Sequence, residues 1–170
     1  QSHSFASVYD IVNKTTSLIN TLIKKDQIEL DIQLEENLPN IKCRSQQIQQ
    51  VLMNLLTNAR DALNERYRSY SPGKIIRLSA NKFSVNGEKW IRIVVEDHGN
   101  GIPQAVLDKI FNPFFSTKDK DKGTGLGLSI SFGIIKEHNG KIRVDTKEGA
   151  YSKFIIELPC DNGWKISDAE

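Results

Sequence analysis

The chain has 170 residues, 38% hydrophobic and 26% charged, the make-up of one domain with a real core, and no apolar run approaches the length that crosses a membrane. Its 23 basic and 21 acidic residues leave a net charge of +2, which gives no support to bulk nucleic-acid binding. Two cysteines far apart, Cys43 and Cys160, with no secretory leader in "QSHSFASVYD", argue against a disulfide framework or a cysteine metal site and for reduced thiols in a cytoplasmic setting.

In chain order, Val8, Ile11, Val12, Thr15, Leu18, Ile19, Leu22 and Ile23 recur at helical spacing, so residues 6–25 are predicted to form an amphipathic helix. "IELDIQLE" (residues 28–35) alternates apolar and polar, the strand period. A turn at Pro39 and a short strand at 41–43 follow, and Ser45 is expected to cap the next helix. That helix carries an apolar stripe of Ile48, Val51, Leu52, Leu55, Leu56, Ala59, Ala62 and Leu63 and fades near Tyr67. "KIIRLSANKFSV" and "KWIRIVVED" form a hairpin around Asn86-Gly87. "PQAVLDKIF" is a short helix opened by Pro103, and residues 112–123 are a polar, aperiodic, mobile connection. A helix runs from Leu128 to His138 and stops at Asn139-Gly140. "KIRVDTKEG" and "YSKFIIELP" form a second hairpin around Glu148-Gly149, and the tail from Cys160 is weakly patterned and loose. Hairpins demand antiparallel neighbours, so the expected fold class is α+β: a two-layer sandwich whose mixed, mostly antiparallel sheet carries helices on one face.

Three stretches and one helix mouth carry candidate chemistry. In "QQIQQVLMNLLTNARDAL", Asn54, Asn58 and Asp61 share one helix face, opposite the apolar stripe. The ordinary alternative is solvent exposure; the chemical one is an amide oxygen that, with phosphates and water, holds a hard cation such as Mg²⁺. In "VVEDHGNGI", Asp97 ends a strand before a Gly-Asn-Gly turn. Its carboxylate can accept from an exocyclic amine such as that of adenine, with Gly99 and Gly101 leaving room for a flat ring; the alternative is a plain Asx turn. In "FNPFFSTK", Phe111, Phe114 and Phe115 can anchor a lid or simply pack in the core, and Lys118 can reach phosphates. "DKGTGLGLSI" puts Gly123, Gly125 and Gly127 at the mouth of a helix, where unpaired N–H groups and the helix dipole favour an anion. No Lys-Ser or Lys-Thr pair follows, so this is not a Walker loop.

The ordered boxes "NLLTNARDAL", "EDHGNGI", "FNPFFSTK" and "GTGLGLSI" resemble those of the catalytic ATP-binding domain of sensor histidine kinases, in the superfamily shared with DNA gyrase, a heat-shock chaperone and mismatch-repair ATPases. The resemblance extends over residues 6–159, and "NPFFSTK" is most similar to nitrogen-regulatory kinases and their relatives. It implies the Bergerat α/β sandwich. It implies that Asn58 contacts Mg²⁺ with Asn54 beside it near the metal or the phosphates, that Asp97 binds the adenine amine, and that Gly99, Gly101 and Ile102 form the base pocket. Residues 112–122 would be a lid, with Phe114 and Lys118 in the ATP site. Gly123, Thr124, Gly125, Leu126, Gly127 and Leu128 would line the phosphates. Asp61 is placed at the ATP site without a firm role.

Hydrolysing members of the superfamily carry a Glu one turn before the metal-binding Asn, as general base on water. Here that position is Asn54, whose amide cannot take the proton, which favours transfer to another group over hydrolysis. None of His3, His98 and His138 sits in an acceptor motif; all three read as surface or turn residues. The resemblance therefore implies an acceptor histidine on a separate dimerisation domain, with residues 1–5 a linker or non-native remnant after that domain, 6–160 the catalytic domain and 161–170 a tail. It further implies a downstream response regulator, a monomeric isolated domain, and a cytoplasmic location with a parent protein that is either free or membrane-anchored. The competing reading is an ATP-gated interaction module without phosphoryl transfer.

Overall fold

The computed structural model describes residues 3–113, 115 and 127–166. The elements are β1 (Ser4–Ala6), α1 (Val8–Lys25), β2 (Glu29–Leu34), β3 (Ile41–Cys43), α2 (Ser45–Arg66), β4 (Ile75–Val85), β5 (Glu88–Asp97), a 3-10 turn (Gln104–Lys109), α3 (Gly127–Glu137), β6 (Lys141–Lys147) and β7 (Tyr151–Pro159). Five strands form one sheet in the order β2-β4-β5-β7-β6, in which β2 runs parallel to β4 and the other neighbours are antiparallel. α1, α2 and α3 pack on one face, as the hairpins and helical stripes predict. Among the described residues no helix is long and apolar enough to cross a membrane.

The two strand phases divide the labour. Inward positions Ile76, Leu78, Ala80, Ile91, Ile93, Val95, Phe154, Ile156 and Leu158 are buried against Leu52, Leu55, Leu56 and Leu63 of α2. Outward positions carry charge, and the register aligns Asp31, Arg77, Glu96, Lys153 and Asp145 into one row across all five strands, alternating in sign. Arg77 bonds Asp31 at 3.0 Å and lies 3.7 Å from Glu96, which Lys153 approaches at 3.9 Å. Opposite charges directly across a strand pair stabilise it modestly, and a charged face keeps the open side of the sheet in water.

Turn chemistry closes the elements. Asn86 and Gly87 both take positive φ, the type I′ requirement of a two-residue hairpin. α3 ends with Asn139 in the left-handed region, the Gly140 N–H donating to the Ile135 carbonyl and the Asn139 N–H to that of Lys136, a Schellman closure. α1 ends the same way at Gln27, and its preceding residue Asp26 is gripped by Arg60 and Asn64 of α2, while the Lys74 ammonium donates to the Asp26 carbonyl. Burial raises the Asp26 carboxyl, but the bonds from Arg60 and Asn64 outweigh it and hold the group below its ordinary value.

Four local expectations are corrected. Ser4, Phe5 and Ala6 form β1, paired antiparallel to β3, and α1, expected from residue 6, starts at Val8 with Ser7 as its cap. Ser45 is the first residue of α2; Arg44 occupies the cap position and makes no side-chain capping bond. The short helix after Pro103 is present over Gln104–Lys109, but it is of the 3-10 type and has Pro103 at its cap position. Residues 160–164 are not loose: Asp161 pairs with Lys42, Asn162 is buried, and the Trp164 ring packs on His138 and His3. Trp164 thereby covers His138, which is 1% exposed and is no surface residue.

Candidate functional site

The polar face of α2 meets three other segments in succession. At Asn54 it meets the first turn of α3: the Asn54 amide nitrogen donates to the Gly127 carbonyl at 3.2 Å and to Ser131 Oγ at 3.3 Å. One turn on, Asn58 and then Asp61 are half-buried on the same face. At Ala62 it meets the turn after β5, and at Arg66 it grips that turn: Nη1 donates to the carbonyls of His98 and Gly99, both at 2.9 Å, and of Ala150 at 3.2 Å.

Asp97 ends β5 on the inward phase and is 3% exposed. Its Oδ1 accepts the Gly99 N–H at 2.9 Å. Burial pushes the carboxyl up to about 6, against the lowering effects of the Gly99 N–H and of His98, with Glu96 adding to the rise. His98 turns outward to Glu96 at 2.8 Å. Two glycines are required here by space. A Cβ on Gly99 would come within 2.8 Å of both Ala62 Cβ and Asp97 Oδ1, and one on Gly101, at φ +71, within 2.2 Å of the Lys147 carbonyl.

Ile102 is held through its backbone: its N–H donates to Thr146 Oγ1 at 3.0 Å. Thr146 in turn donates to the Tyr151 carbonyl, so Ser152, 2.9 Å away and the cross-strand partner of Asp97, supplies the proton of the hydroxyl pair. Thr146, Ser152, Arg66 and Ser131 are absent from the sequence reading. Thr146 and Ser152 had a signal, since they are polar on the inward phase of strands otherwise lined by Ile142, Val144, Phe154 and Ile156; Arg66 and Ser131 had none.

The structure brings together Asn54 with Gly127, Asp97 with Gly99, and Gly101 and Ile102 with the β6–β7 hairpin, while Leu128 packs half-buried against the core. Phe111 stacks 5.4 Å from Phe132 of α3, and Phe115 packs half-buried on the core. Phe114, Lys118, Gly123, Thr124, Gly125 and Leu126, and most of the expected lid, lie outside the described residues.

As for a metal, no group of three or more His, Cys, Asp or Glu side chains arranged to hold one exists among the described residues. An oxygen-seeking ion that keeps its waters and shares them with phosphates fits an amide oxygen such as that of Asn58.

The family described as histidine kinase-, DNA gyrase B-, and HSP90-like ATPase matches residues 43–162. The sensor kinase CckA of Brucella abortus is 39% identical over 160 residues, covering 88% of this chain, which spans 16% of that protein's length. Among solved structures, the catalytic domain of histidine kinase ThkA superposes with a TM-score of 0.79 at 28% identity, covering 95% of this chain and 98% of that one. ThkA in complex with the response regulator TrrA matches at a TM-score of 0.76 and 27% identity, covering 96% of this chain and 43% of that one.

Proposed function

The chain belongs to the histidine kinase-, DNA gyrase B-, and HSP90-like ATPase family and has the fold of histidine kinase catalytic domains, and we propose that it binds Mg²⁺-ATP and presents the γ-phosphoryl to a histidine on a separate dimerisation domain. The observation that carries this reading is the polarity of α2. Its Asn54 meets the start of α3, and its Ala62, two turns later, meets the Asp97–Gly99 turn. Eight residues of helix separate these points by about 12 Å, which sets a phosphate end and a base end on one rail.

At the base end, Asp97 accepts from the adenine amine and the slot left by Gly99 takes the ring, with Ile102 along its side. Arg66 and Thr146 hold the two carriers of that slot in register. At the phosphate end, α3 presents the N–H groups of its first turn and its dipole. Asn58 supplies an amide oxygen to the metal side. Mg²⁺, when bound, offsets the charge on the phosphates.

Transfer forms a bond between a ring nitrogen of the acceptor histidine and the γ-phosphorus as the bond to the β–γ bridging oxygen breaks, leaving ADP. The Asn54 amide cannot take a proton from water, so hydrolysis is slow and the acceptor supplies its own nucleophile. The phosphorylated histidine then serves a response regulator, the kind of partner that ThkA has in its complex.

The test is a calorimetric titration of the chain with ATP, with MgCl₂ and with EDTA. A saturable heat that returns to baseline supports the reading. Sustained heat after binding replaces it with a hydrolase. No binding, confirmed by a second method, overturns it.

A further inference from the structure

Asn54 and Ser131 stand 77 residues apart in sequence and meet through one hydrogen bond. Ser131 is 0% exposed, on a helix whose other buried residues are Ile134 and Ile135. A serine buried among isoleucines serves as core filler less well than alanine or valine, because its hydroxyl must be satisfied. Its bonds show how it is. The hydroxyl proton goes to the Gly127 carbonyl at 2.8 Å, and a lone pair accepts from the Asn54 amide nitrogen at 3.3 Å. The Asn54 amide nitrogen also donates to the Gly127 carbonyl at 3.2 Å.

This arrangement fixes which end of the Asn54 amide is which. A backbone carbonyl only accepts, so the atom facing Gly127 is the NH₂ group. The Gly127 carbonyl and the Ser131 hydroxyl stand 2.8 Å apart, so they share the Asn54 N–H that points between them. The carbonyl oxygen is the end directed away from α3. We infer that Ser131 is a positioning residue: it locks the Asn54 amide so that Oδ1, an acceptor, is offered to the magnesium side of the nucleotide site, and it ties that amide to the first residue of α3. The inference rests on the nucleotide-site reading above and assigns Asn54 a partner and a polarity within it. An oxygen so directed would accept a hydrogen bond from a water on Mg²⁺; an NH₂ so directed would contact phosphate instead.

The test uses the chain and its Ser131→Ala and Ser131→Cys variants, the thiol being close in shape but a poor acceptor. Two quantities are read: the side-chain amide resonances of Asn54 in the nucleotide-free protein by ¹⁵N NMR, and the ratio of ATP affinities with MgCl₂ and with EDTA. Loss of one buried hydrogen bond predicts that both variants move the Asn54 resonances and cut the magnesium-dependent gain in affinity about 3- to 10-fold, with the EDTA affinity unchanged. A merely structural serine would instead lower both affinities alike, and that result overturns the inference. So does an Asn54 amide indifferent to Ser131. If Ser131→Ala fails to fold, Ser131→Cys carries the same two readings. If the unsubstituted chain binds no ATP in either buffer, the nucleotide reading falls, and the resonance shift alone decides whether Ser131 positions the amide.

Discussion

The Asp97 carboxylate accepts the Gly99 N–H at 2.9 Å while burial lifts its pKa to about 6, so the residue that ends β5 is both the anchor of the following turn and a source of strain. In the unfolded chain the same group titrates near 3.8. A folded-state pKa above the unfolded one means that the native protein binds the extra proton. Stability from this group is complete below pH 3.8 and is lost as pH rises through about 6. At pH 7 the ionised carboxylate thus costs up to about 3 kcal/mol. Asp97→Asn keeps an oxygen for Gly99 and removes the charge. The expected outcome is a nucleotide-free variant with a higher melting temperature at pH 7.5 than the unsubstituted chain, together with ATP affinity reduced at least 10-fold. A variant that loses stability would show that the carboxylate has a partner worth more than its burial.

Nucleotide affinity should carry the same ionisation with the opposite sign. An adenine amine donates, so it binds the ionised form and lowers the pKa of the group that receives it. ATP binding near pH 6 is expected to release protons, and affinity is expected to fall as pH drops from 7.5 to 5.5. Calorimetry in buffers of different ionisation enthalpy measures the proton count directly, and Asp97→Asn should abolish it.

Gly101 holds φ +71 with the Lys147 carbonyl 2.2 Å from where a Cβ would stand. Backbone does not yield as a flexible side chain does, and left-handed φ adds its own cost to any other residue. Gly101→Ala should therefore destabilise the chain by about 1–3 kcal/mol, read as a fall in urea midpoint. Gly149, also at positive φ but with open space around it, is the control, and its alanine variant should lose about 1 kcal/mol.

Arg66 bonds three carbonyls that belong to two segments, the turn after β5 and the β6–β7 hairpin. The side chain is exposed, so each bond competes with water and is worth little alone. Their joint effect is geometric. Arg66→Gln is expected to weaken ATP binding about 2- to 10-fold while lowering stability by no more than about 1 kcal/mol. Arg66→Lys should rescue only in part, because an ammonium lacks the planar fork. Equal losses for ATP and for inorganic triphosphate would place the effect away from the base pocket.

The fold was legible where one rule governs. Period-two alternation gave β2, β6 and β7, the Asn86-Gly87 turn gave the first hairpin, and the stripe on α2 gave its buried face, whereas the three residues of β1 are too few to show a period. The candidate site was legible through the order of its four boxes and not through any one of them: Asp97 before Gly99 reads equally as an Asx turn, and the structure shows that bond. What escaped depends on register or on distant partners. The alternating row Asp31, Arg77, Glu96, Lys153, Asp145 exists only once five strands are aligned. Arg66 meets His98 only after the β4–β5 hairpin folds back. Trp164 lies in a stretch without periodicity, and only the ring packed beside it shows why the tail is ordered.

His138 supplies the last prediction, because it titrates against Asp97. Its Nδ1 is 2.7 Å from the Ile134 carbonyl and its Nε2 accepts the Arg44 N–H at 3.2 Å. Nδ1 must therefore carry the proton, and both nitrogens are satisfied in the neutral ring. A second proton would set Nε2–H against an N–H. Burial lowers the pKa below 6.5, the Ile134 carbonyl pulls upward, and of the charged neighbours Arg44 and His3 lower it while Glu137 raises it. The unfolded chain then binds the extra proton, so stability from His138 is present above pH 6.5 and is lost as pH falls below it. Asp97 gains stability over the same descent, from about 6 toward 3.8. The two slopes oppose, so between pH 6.5 and 5 each offsets part of the other. Asp97→Asn removes one slope, and its melting temperature should fall clearly across that interval as His138 takes up its proton. A flat profile in Asp97→Asn would mean that the Arg44 N–H releases Nε2 at no cost, and that the contact between the start of α2 and the end of α3 is not held by this ring.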